Sequence, residues 1–406
     1  MNPDLLLVGG NDRSLWANRG DLIAELLALG WEVHAALPPE GPVTYPPLHP
    51  IPIHRLPMAR TGMNPLAALG SIRALRELIV HLGPDRVLAY NPKPVIHTGL
   101  ALRRFPRIPY LALITGRGAL ERRPGVKGTA AHTALSLLYR ASLRRPDAVL
   151  FQNDDDRALF ARRFGVGRRT PVEVIPGSGV NLERFPRVPL PAGPGGEGGA
   201  PLPPRFLVVS KLLIDKGVRE FMEAAEVVAR EVPGCRFRVV GGHDPELPHA
   251  LPAAEVEGWK ARGLVEFIGR VDDVRPHLAW CSVLCHPSYA EGTPRAVLEA
   301  LATGRPVITT DAPGCRQTVV EGESGFLVAP RSAGELTDRM LLLAREPERV
   351  APMAQAAWER ARDVYDVRRV NARILHHLGV PAAPLAPPSA IPAAPPAEKE
   401  AGDARP

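Results

Sequence analysis

The sequence predicts an α/β protein of two doubly wound domains, each a parallel sheet with helices on both of its faces. Short apolar runs alternate with helical patterns along the first half of the chain, and the same alternation begins again after residue 204. Residues 186–204 separate the halves and are dominated by Pro, Gly and Ala, so we expect a linker or a long exposed loop there. A chain of 406 residues, 45% of them hydrophobic, can form two cores of ordinary size.

In the first half, buried-strand and helix patterns follow one another as in a Rossmann-like domain. We expect this N-terminal domain to cover residues 1–185. Its strands are predicted at 5–8, 32–37, 86–90, 110–114, 148–151 and 172–175, and its helices at 21–29, 66–82, 130–143 and 154–164.

The second half repeats this organisation, with the C-terminal domain expected at 205–355. We expect a helix over 356–378 to cross back to the N-terminal domain, and the Ala/Pro-rich tail at 379–406 to be disordered. Strands are predicted at 206–209, 236–240, 265–268, 283–285 and 307–310, and helices at 217–231, 294–303, 333–345 and 349–378.

The helix over 294–303 has clear end signals. Thr293 is a good N-cap, Pro294 suits the first helical position, and Gly304 supplies the stop. The interior is apolar on nearly every face, as in a helix packed deep inside a domain, except for Arg295 and Glu299.

The carboxylates at each end of this segment suit a sugar-binding site. Free N–H groups and the positive dipole end make the turn at 292–294 a natural place for a phosphate, while Glu291 and Glu299 can accept hydroxyl hydrogens. The alternative is that Glu299 only pairs with Arg295 at i, i+4 and that Glu291 is a solvated loop residue.

In doubly wound sheets, ligands bind beyond the carboxyl ends of the strands. The residues at these ends are rich in glycine, amide, hydroxyl and cationic groups, so we expect a ligand held in a cleft between two facing domains. They are 9–10, 91, 93, 115–117, 152–153 and 177–179 in the first half, and 210–211, 241–242, 269–270, 287, 291 and 310–311 in the second.

The chemistry at these ends points to a diphosphate. No GxxxxGK[ST] loop is present, and Gly9-Gly10 lacks the remainder of a dinucleotide fingerprint. Lys211 and Lys216 offer two charges beside a helix start, although Lys216 could instead be an exposed helix-start lysine.

The run 154–156, Asp-Asp-Asp, resembles a manganese-binding DxD, but its position after a strand favours helix capping.

Charge is divided unevenly along the chain. Residues 1–205 hold 26 Lys and Arg against 16 Asp and Glu, whereas residues 206–406 hold 24 against 27. A basic half implies an anionic partner such as nucleic acid, an anionic lipid surface or a phosphorylated substrate.

The basic segment 117–145 is typical of a membrane-surface helix, with a plain solvated helix as the alternative. Scarce aromatics and the lack of a binding motif disfavour nucleic acid.

From other features we expect a cytosolic or peripheral protein. No apolar run reaches the ~18 residues that a membrane span needs, and the first ten residues do not form a signal peptide. The four cysteines, at 235, 281, 285 and 315, have no metal-ligand spacing and are expected to be reduced core residues.

Several motifs resemble a known family. PSYAEGTPRAVLEALATGRPVITTD at 287–311, VVSKLLIDKG at 208–217 and EGESGFLV at 321–328 resemble the family 4 glycosyltransferases of the GT-B fold. TGRG at 115–118, FQNDDD at 151–156 and IPGSGVNLERF at 175–185 look like the branch that adds a sugar to polyprenyl-diphosphate-linked saccharides, such as N-acetylgalactosaminyltransferases acting on diacetylbacillosaminyl-diphosphoundecaprenol.

The resemblance implies retaining transfer from a UDP-sugar, with no catalytic metal and no cofactor. By position, the catalytic residues would be Glu291, on donor-sugar hydroxyls, and Lys211 and Lys216, on the diphosphate. Lys211 stands where the family more often has Arg, and Arg117 where the branch usually has Leu. The remaining donor-binding residues would be Gly9, Gly10, Ser210, Gly269, Arg270, Val271, Gly292, Thr293, Pro294 and Glu299, and the acceptor-side residues Lys93, Thr115, Gly116, Arg117 and Ser178.

The leading hypothesis is therefore a bacterial enzyme of surface polysaccharide or glycan assembly. It would use a UDP-sugar and a polyprenyl-diphosphate-linked saccharide, peripherally at the inner face of the cell membrane, through its basic N-terminal half. A nucleotide-sugar epimerase or a transferase for a soluble acceptor is one alternative. An inactive transferase that serves as an assembly scaffold is the other.

Overall fold

The structure is a computed structural model that describes residues 3–39, 47–58, 65–116, 129–168, 170–191, 203–247 and 249–380. Arg117, most of the expected linker and most of the expected tail lie outside these residues. Within the described part of the chain, the strands form two all-parallel sheets, one in each half.

The first sheet has the strand order β3-β2-β1-β4-β5-β6-β7. Its central strands are apolar and buried on both sides, as expected of a parallel sheet covered by helices. The strands are β1 Asp4–Val8, β2 Glu32–Leu37, β3 Ile53–Arg55, β4 Arg86–Tyr90, β5 Tyr110–Ile114, β6 Ala148–Phe151 and β7 Val172–Val174, and the helices are α1 Asp12–Ala28, α2 Pro65–Leu82, α3 Pro92–Ala101, α4 Thr129–Ser142 and α5 Asp154–Phe164.

The second sheet has the order β10-β9-β8-β11-β12-β13. Its strands are β8 Arg205–Val209, β9 Arg236–Val240, β10 Val265–Gly269, β11 Val283–His286, β12 Val307–Thr310 and β13 Gly325–Val328. Its helices are α6 Val218–Glu231, α7 Ala253–Arg262, α8 Arg275–Trp280, α9 Arg295–Ala302, α10 Ala333–Arg345 and α11 Val350–Arg360.

The C-terminal segment joins the two sheets. The single helix expected over 349–378 is instead divided: after α11 the chain forms a π-helical stretch, Ala361–Tyr365, and then α12, Val367–His377, so the helix that crosses back begins at 367 rather than 356. Val370, Ile374 and Leu375 of α12 are buried in the same cluster as α1 and the first sheet. Helix α12 therefore covers the N-terminal sheet, whereas α11 packs against α9 of the second half.

Two helix starts differ from the sequence prediction. Helix α1 begins at Asp12 rather than near 21, because Asn11 accepts a hydrogen bond from the backbone of Ser14 and Leu15 is buried. Thr293 is not the N-cap of α9, and Pro294 is not its first residue. The cap is Pro294, because the Thr293 hydroxyl donates instead to the Gln152 carbonyl of the N-terminal half, at 3.0 Å.

The start of the expected linker is held in place by a buried arginine. Arg305 is 0% exposed, and its guanidinium donates to the carbonyls of Val188 and Pro189 at 3.0 and 2.7 Å. The same group donates to the carbonyl of Leu278 before β11. Residues 188–189 are therefore packed on the second half, unlike the unordered segment that composition alone predicts.

All four cysteines are free thiols, as predicted. Cys281, Cys285 and Cys315 are fully buried in the second half, and burial raises the pKa of each thiol. Cys281 lies two residues before β11, and Cys285 lies within that strand. These thiols are core residues.

Candidate active site

Glu291 lies in the loop between β11 and α9, and three side chains converge on one of its carboxylate oxygens. Its Oε1 lies 2.5 Å from Nζ of Lys216, 3.1 Å from Oγ of Ser288 and 3.3 Å from Nε2 of His286. The Glu291 amide also donates to the carbonyl of Pro313, at 2.9 Å. Glu291 is thus fixed at both its backbone and its carboxylate.

These contacts keep Glu291 ionised. Burial alone would raise the pKa of its carboxyl, but the charge of Lys216 and the hydrogen bonds from His286 and Lys216 lower it to about 2. Burial lowers the pKa of Lys216 in turn, and the Glu291 carboxylate more than reverses this, leaving the pKa above its usual range. The site therefore holds a charged pair at neutral pH.

Lys216 reaches this pair from a tight turn. It ends the short 3₁₀ segment Ile214–Lys216, and Gly217 follows with a left-handed φ of 69°. A side chain at Gly217 would clash with the carbonyl of Pro287, so glycine allows the turn to pack on the loop that carries Glu291. With 21% of its side chain exposed, Lys216 is not the exposed helix-start lysine of the alternative interpretation.

Glu299, at the second carboxylate position, is 8% exposed and pairs with Arg295 at 2.6 Å, one helical turn away. Arg295 also donates to the carbonyl of Ala17 in α1. The i, i+4 pair that the sequence offered as an alternative is thus formed, and it connects α9 to the N-terminal half. The role of Glu299 toward a ribose stays a prediction.

The predicted donor and acceptor residues meet at Gly292. Its carbonyl accepts a hydrogen bond from Nδ2 of Asn153, at 2.8 Å. A Cβ on Gly292 would lie 2.6 Å from the Gln152 side chain and would clash with the Thr115 carbonyl. Gly116 lies beside the Gly292 backbone as well. Residue 292 therefore has to be a glycine for the two halves to touch here.

The opposing edge of the first sheet is also closely packed. A side chain at Gly9 would clash with the Tyr90 hydroxyl, and one at Gly10 would lie 2.9 Å from Oδ1 of Asn91. Asn91 itself has φ 72° and ψ 154°, a strained backbone for a residue with a side chain, and its Nδ2 donates to Thr115 Oγ1 at 2.9 Å. Packing inside the N-terminal half thus accounts for both glycines.

Cations from both halves face the same region. Lys211 lies two residues after β8, and its pKa is lowered by partial burial and by the nearby charges of Arg13, Lys216 and Arg270, against the opposing charge of Asp244. Arg13 belongs to the first turn of α1, in the other half of the molecule. Such mutual repulsion is relieved when an anion binds among the cations.

The remaining predicted residues lie around this region. Ser210 follows β8, and its carbonyl leaves no room for a side chain at Gly241. Gly269 is the last residue of β10 and is followed by Arg270 and Val271. On the acceptor side, Ser178 accepts a 3.4 Å hydrogen bond from Gln152, and burial lowers the pKa of Lys93 at the start of α3. The donor and acceptor roles of these residues stay predictions.

The aspartate run 154–156 has a different use from the one expected. The cap of α5 is Asn153, whose Oδ1 accepts from the Asp156 amide at 2.7 Å, so the aspartates do not cap the helix. Both carboxylate oxygens of Asp155 pair with a single nitrogen, Nη1 of Arg316 in the second half, each at 2.7 Å. Among the described residues, no group of three or more His, Cys, Asp or Glu side chains could hold a metal ion.

The sequence did not mark His286 and Ser288 as contacts of the site. Gln152 and Asn153 were expected at the cleft, but without their partners in the second half. His286 could have been predicted from its position, because it lies at the end of a strand, at the sheet edge where ligands bind. The contacts of Gln152 and Asn153 with Gly292 and Thr293 join residues about 140 positions apart, and no local pattern marks them.

Comparisons with known proteins match both halves. The model for glycosyl transferases group 1 matches residues 203–346, and that for a glycosyl transferase 4-like domain matches residues 17–178. The chain is 26% identical over 322 residues to N,N'-diacetylbacillosaminyl-diphospho-undecaprenol alpha-1,3-N-acetylgalactosaminyltransferase of Campylobacter jejuni, covering 78% of this chain and 82% of that protein. It is 27% identical to the putative glycosyltransferase EpsD of Bacillus subtilis, covering 84% and 88%.

Solved structures confirm the predicted fold, two doubly wound domains of the GT-B type. Sucrose-phosphate synthase of Thermosynechococcus elongatus superposes with a TM-score of 0.74 at 20% identity, covering 93% of this chain and 98% of that one. HepE of Anabaena in complex with UDP gives a TM-score of 0.70 at 19% identity, covering 93% and 100%. In the part of the chain that the structure describes, no helix has both the length and the apolar character to cross a membrane.

Proposed function

Because the chain belongs to the group 1 glycosyltransferases with a glycosyl transferase 4-like N-terminal domain, we propose that it transfers a hexose or N-acetylhexosamine from a UDP-sugar to a lipid-linked saccharide. The anomeric configuration is retained, and no metal or other cofactor takes part. One observation carries the proposal: an ionised Glu291, held by Lys216, lies at the contact between the two halves.

On the donor side, the charged groups suit the departing UDP. Negative charge develops on the diphosphate as the bond to the sugar breaks, and fixed cations stabilise that charge. Lys211 and Lys216 perform this task, assisted by Arg270. Glu291 accepts hydrogen bonds from donor-sugar hydroxyls, since a carboxylate with a pKa of about 2 only accepts at neutral pH. HepE, which shares the fold, has been solved with UDP and with UDP-glucose.

On the acceptor side, the proposal rests on similarity and on position. The Campylobacter jejuni relative acts on a diphospho-undecaprenol-linked sugar. Thr115 and Gly116 adjoin Gly292, and Ser178 lies next to Gln152, so an acceptor bound by them would approach the sugar beside Glu291. Lys93 adds a cation suited to the acceptor diphosphate, and Arg117, outside the described residues, would add another.

We also propose that the N-terminal half binds the inner face of the cell membrane. Helix α4 exposes apolar side chains next to cations: Leu137 is 62% exposed, Leu138 and Arg140 are exposed as well, and exposed Arg144 follows two residues after the helix ends. Apolar groups beside Arg are the composition of an interfacial helix on anionic lipid. Co-sedimentation with vesicles containing phosphatidylglycerol, and not with phosphatidylcholine vesicles, tests this surface.

The decisive experiment is product analysis with a panel of UDP-sugars. Each donor is offered with polyprenyl-diphosphate saccharides or with soluble saccharides, with and without EDTA, and NMR assigns the anomeric configuration of the product. We expect EDTA-insensitive, retaining transfer to the lipid-linked acceptor, and at least a hundredfold loss in Glu291→Gln, on the scale of losing a buried charged contact. Inversion refutes the mechanism, and transfer only to soluble saccharides refutes the acceptor class.

Two further outcomes separate the alternative functions. Conversion of the UDP-sugar without any acceptor identifies an epimerase. Restoration of a deletion strain by Glu291→Gln as fully as by the wild-type gene identifies a scaffold without transferase activity.

A further inference from the structure

We propose that His286 is a positioning residue, which sets the direction of the Glu291 carboxylate so that Oε2 faces the donor sugar. The inference rests on the proposed function, because it concerns how Glu291 is presented to a sugar. Neither the sequence motifs nor the similarity to other transferases assigns a role to His286.

The contacts on the carboxylate are one-sided. Lys216, Ser288 and His286 all approach Oε1, at 2.5, 3.1 and 3.3 Å. Oε2 accepts no hydrogen bond from the residues that the structure describes. Because three donors occupy one oxygen, the second oxygen keeps its full capacity to accept hydroxyl hydrogens from a ligand.

Of the three donors, His286 has the most rigid support. It is the last residue of β11, a strand that lies between β8 and β12, and its carbonyl accepts a hydrogen bond from Thr309 at 2.9 Å. Its ring is 5% exposed. Lys216 lies at the end of a flexible stem, and Ser288 belongs to the loop itself. A side chain on a central strand fixes direction more accurately than one on a loop.

The position of the His286 ring also determines which of its nitrogens carries a hydrogen. A neutral histidine donates from only one ring nitrogen, and Nε2 is the nitrogen that faces Oε1. The hydrogen therefore sits on Nε2, since a lone pair there would repel the carboxylate. A side-chain amide can replace this donor, whereas an aliphatic side chain of similar size cannot.

Three variants test the role. His286→Leu removes the donor, His286→Gln keeps an N–H, and Cys285→Ala is a matched control because it disturbs the packing of the same strand without contacting Glu291. We expect His286→Leu to lower kcat/KM for the UDP-sugar about tenfold, the factor for one charge-assisted hydrogen bond. The kcat/KM of His286→Gln should stay within about threefold of wild type, because the amide N–H replaces the imidazole donor but is less well placed.

A binding measurement separates positioning from loss of structure. UDP lacks the sugar, so its Kd should stay within about twofold of wild type in all variants, whereas the Kd of the UDP-sugar should rise in His286→Leu alone. In ¹³C NMR of labelled glutamate, with Glu291→Gln as the assignment reference, the pKa of the Glu291 carboxyl should rise in His286→Leu.

The outcomes distinguish this inference from the proposed function. If wild type transfers sugar and His286→Leu transfers equally well, or if His286→Gln is as impaired as His286→Leu, the positioning role is refuted. An equal loss of UDP and UDP-sugar binding in His286→Leu also refutes it. If wild type transfers from no UDP-sugar, the proposed function fails, and the NMR titration still decides whether His286 acts on Glu291.

Discussion

Glu291 offers a sensitive test of the electrostatics, because its charge can be removed by acid or by the substitution Glu291→Gln. Its pKa is about 2 in the folded protein, against an ordinary value of 4.5. A carboxyl with a depressed pKa stabilises the fold above its unfolded pKa, and this contribution is lost as the pH falls through the folded pKa. The window for the effect is therefore about pH 5 to pH 2.

The size of the effect follows from the displacement of the pKa. At about 1.4 kcal/mol for each pH unit, the difference between 4.5 and about 2 corresponds to about 3 kcal/mol. The side chain of Glu291 is 20% exposed, so solvent screens the interaction only in part. Glu291→Gln cannot lose this contribution on acidification, because it has no carboxyl to protonate.

Urea unfolding followed by tryptophan fluorescence at several pH values measures the difference. Between pH 5 and pH 2.5, the free energy of unfolding of wild type should fall by about 2 to 3 kcal/mol more than that of Glu291→Gln. Glu257→Gln is a control, because Glu257 is 66% exposed and its one ion pair within the described ranges is with Lys260, so its curve should follow wild type. Parallel curves for wild type and Glu291→Gln would refute the assignment of a depressed pKa.

Three other substitutions test contacts elsewhere. Arg305→Met should lower the free energy of unfolding by about 3 kcal/mol, since buried carbonyls lose a charged donor, and a loss below about 1 kcal/mol contradicts the described packing. A double-mutant cycle of Asp155→Asn with Arg316→Met should give a coupling of about 1 kcal/mol, since both side chains are roughly one third exposed, whereas Asp154→Asn with Arg316→Met should give none. Gly292→Ala should lower kcat/KM at least about tenfold while thermal stability is kept, because the clash with Thr115 separates the two halves; unchanged activity would contradict it.

Most strands of both sheets could be predicted because each is a short apolar run bounded by turn residues. Strand β3 was not predicted because only one of its three residues is apolar, and strand β13 was not predicted because it begins at a glycine, a residue that is depleted in strands. Helix α3 was missed because Pro-Lys-Pro at its start is typical of a loop, although proline is tolerated in the first turn of a helix. The early start of α1 depends on the burial of Leu15 and Trp16 against other elements, which a local pattern does not encode.

The candidate site divides in the same way. Glu291 and Lys216 stood out locally, one before a well-marked helix and one beside a helix start, but nothing in the sequence indicated that they form a pair at 2.5 Å. Asp155 illustrates the opposite case. Its neighbours suggested capping, yet the cap belongs to Asn153, and Asp155 pairs with Arg316, 161 positions away. Local chemistry identified the groups, whereas the fold determined their partners.

One peptide joins the proposed donor side of the site to the proposed acceptor side, because Glu291 and Gly292 are neighbours in the chain. The carboxylate of Glu291 is held by side chains of the second half, while the carbonyl of Gly292 is held by Asn153 of the first. Asn153 in turn is fixed because its Oδ1 caps α5. If the two halves separate, the hydrogen bond from Asn153 to the Gly292 carbonyl is lost. The peptide next to Glu291 then has no contact from Asn153 to hold it. The orientation of the Glu291 carboxylate therefore depends on the contact between the two halves.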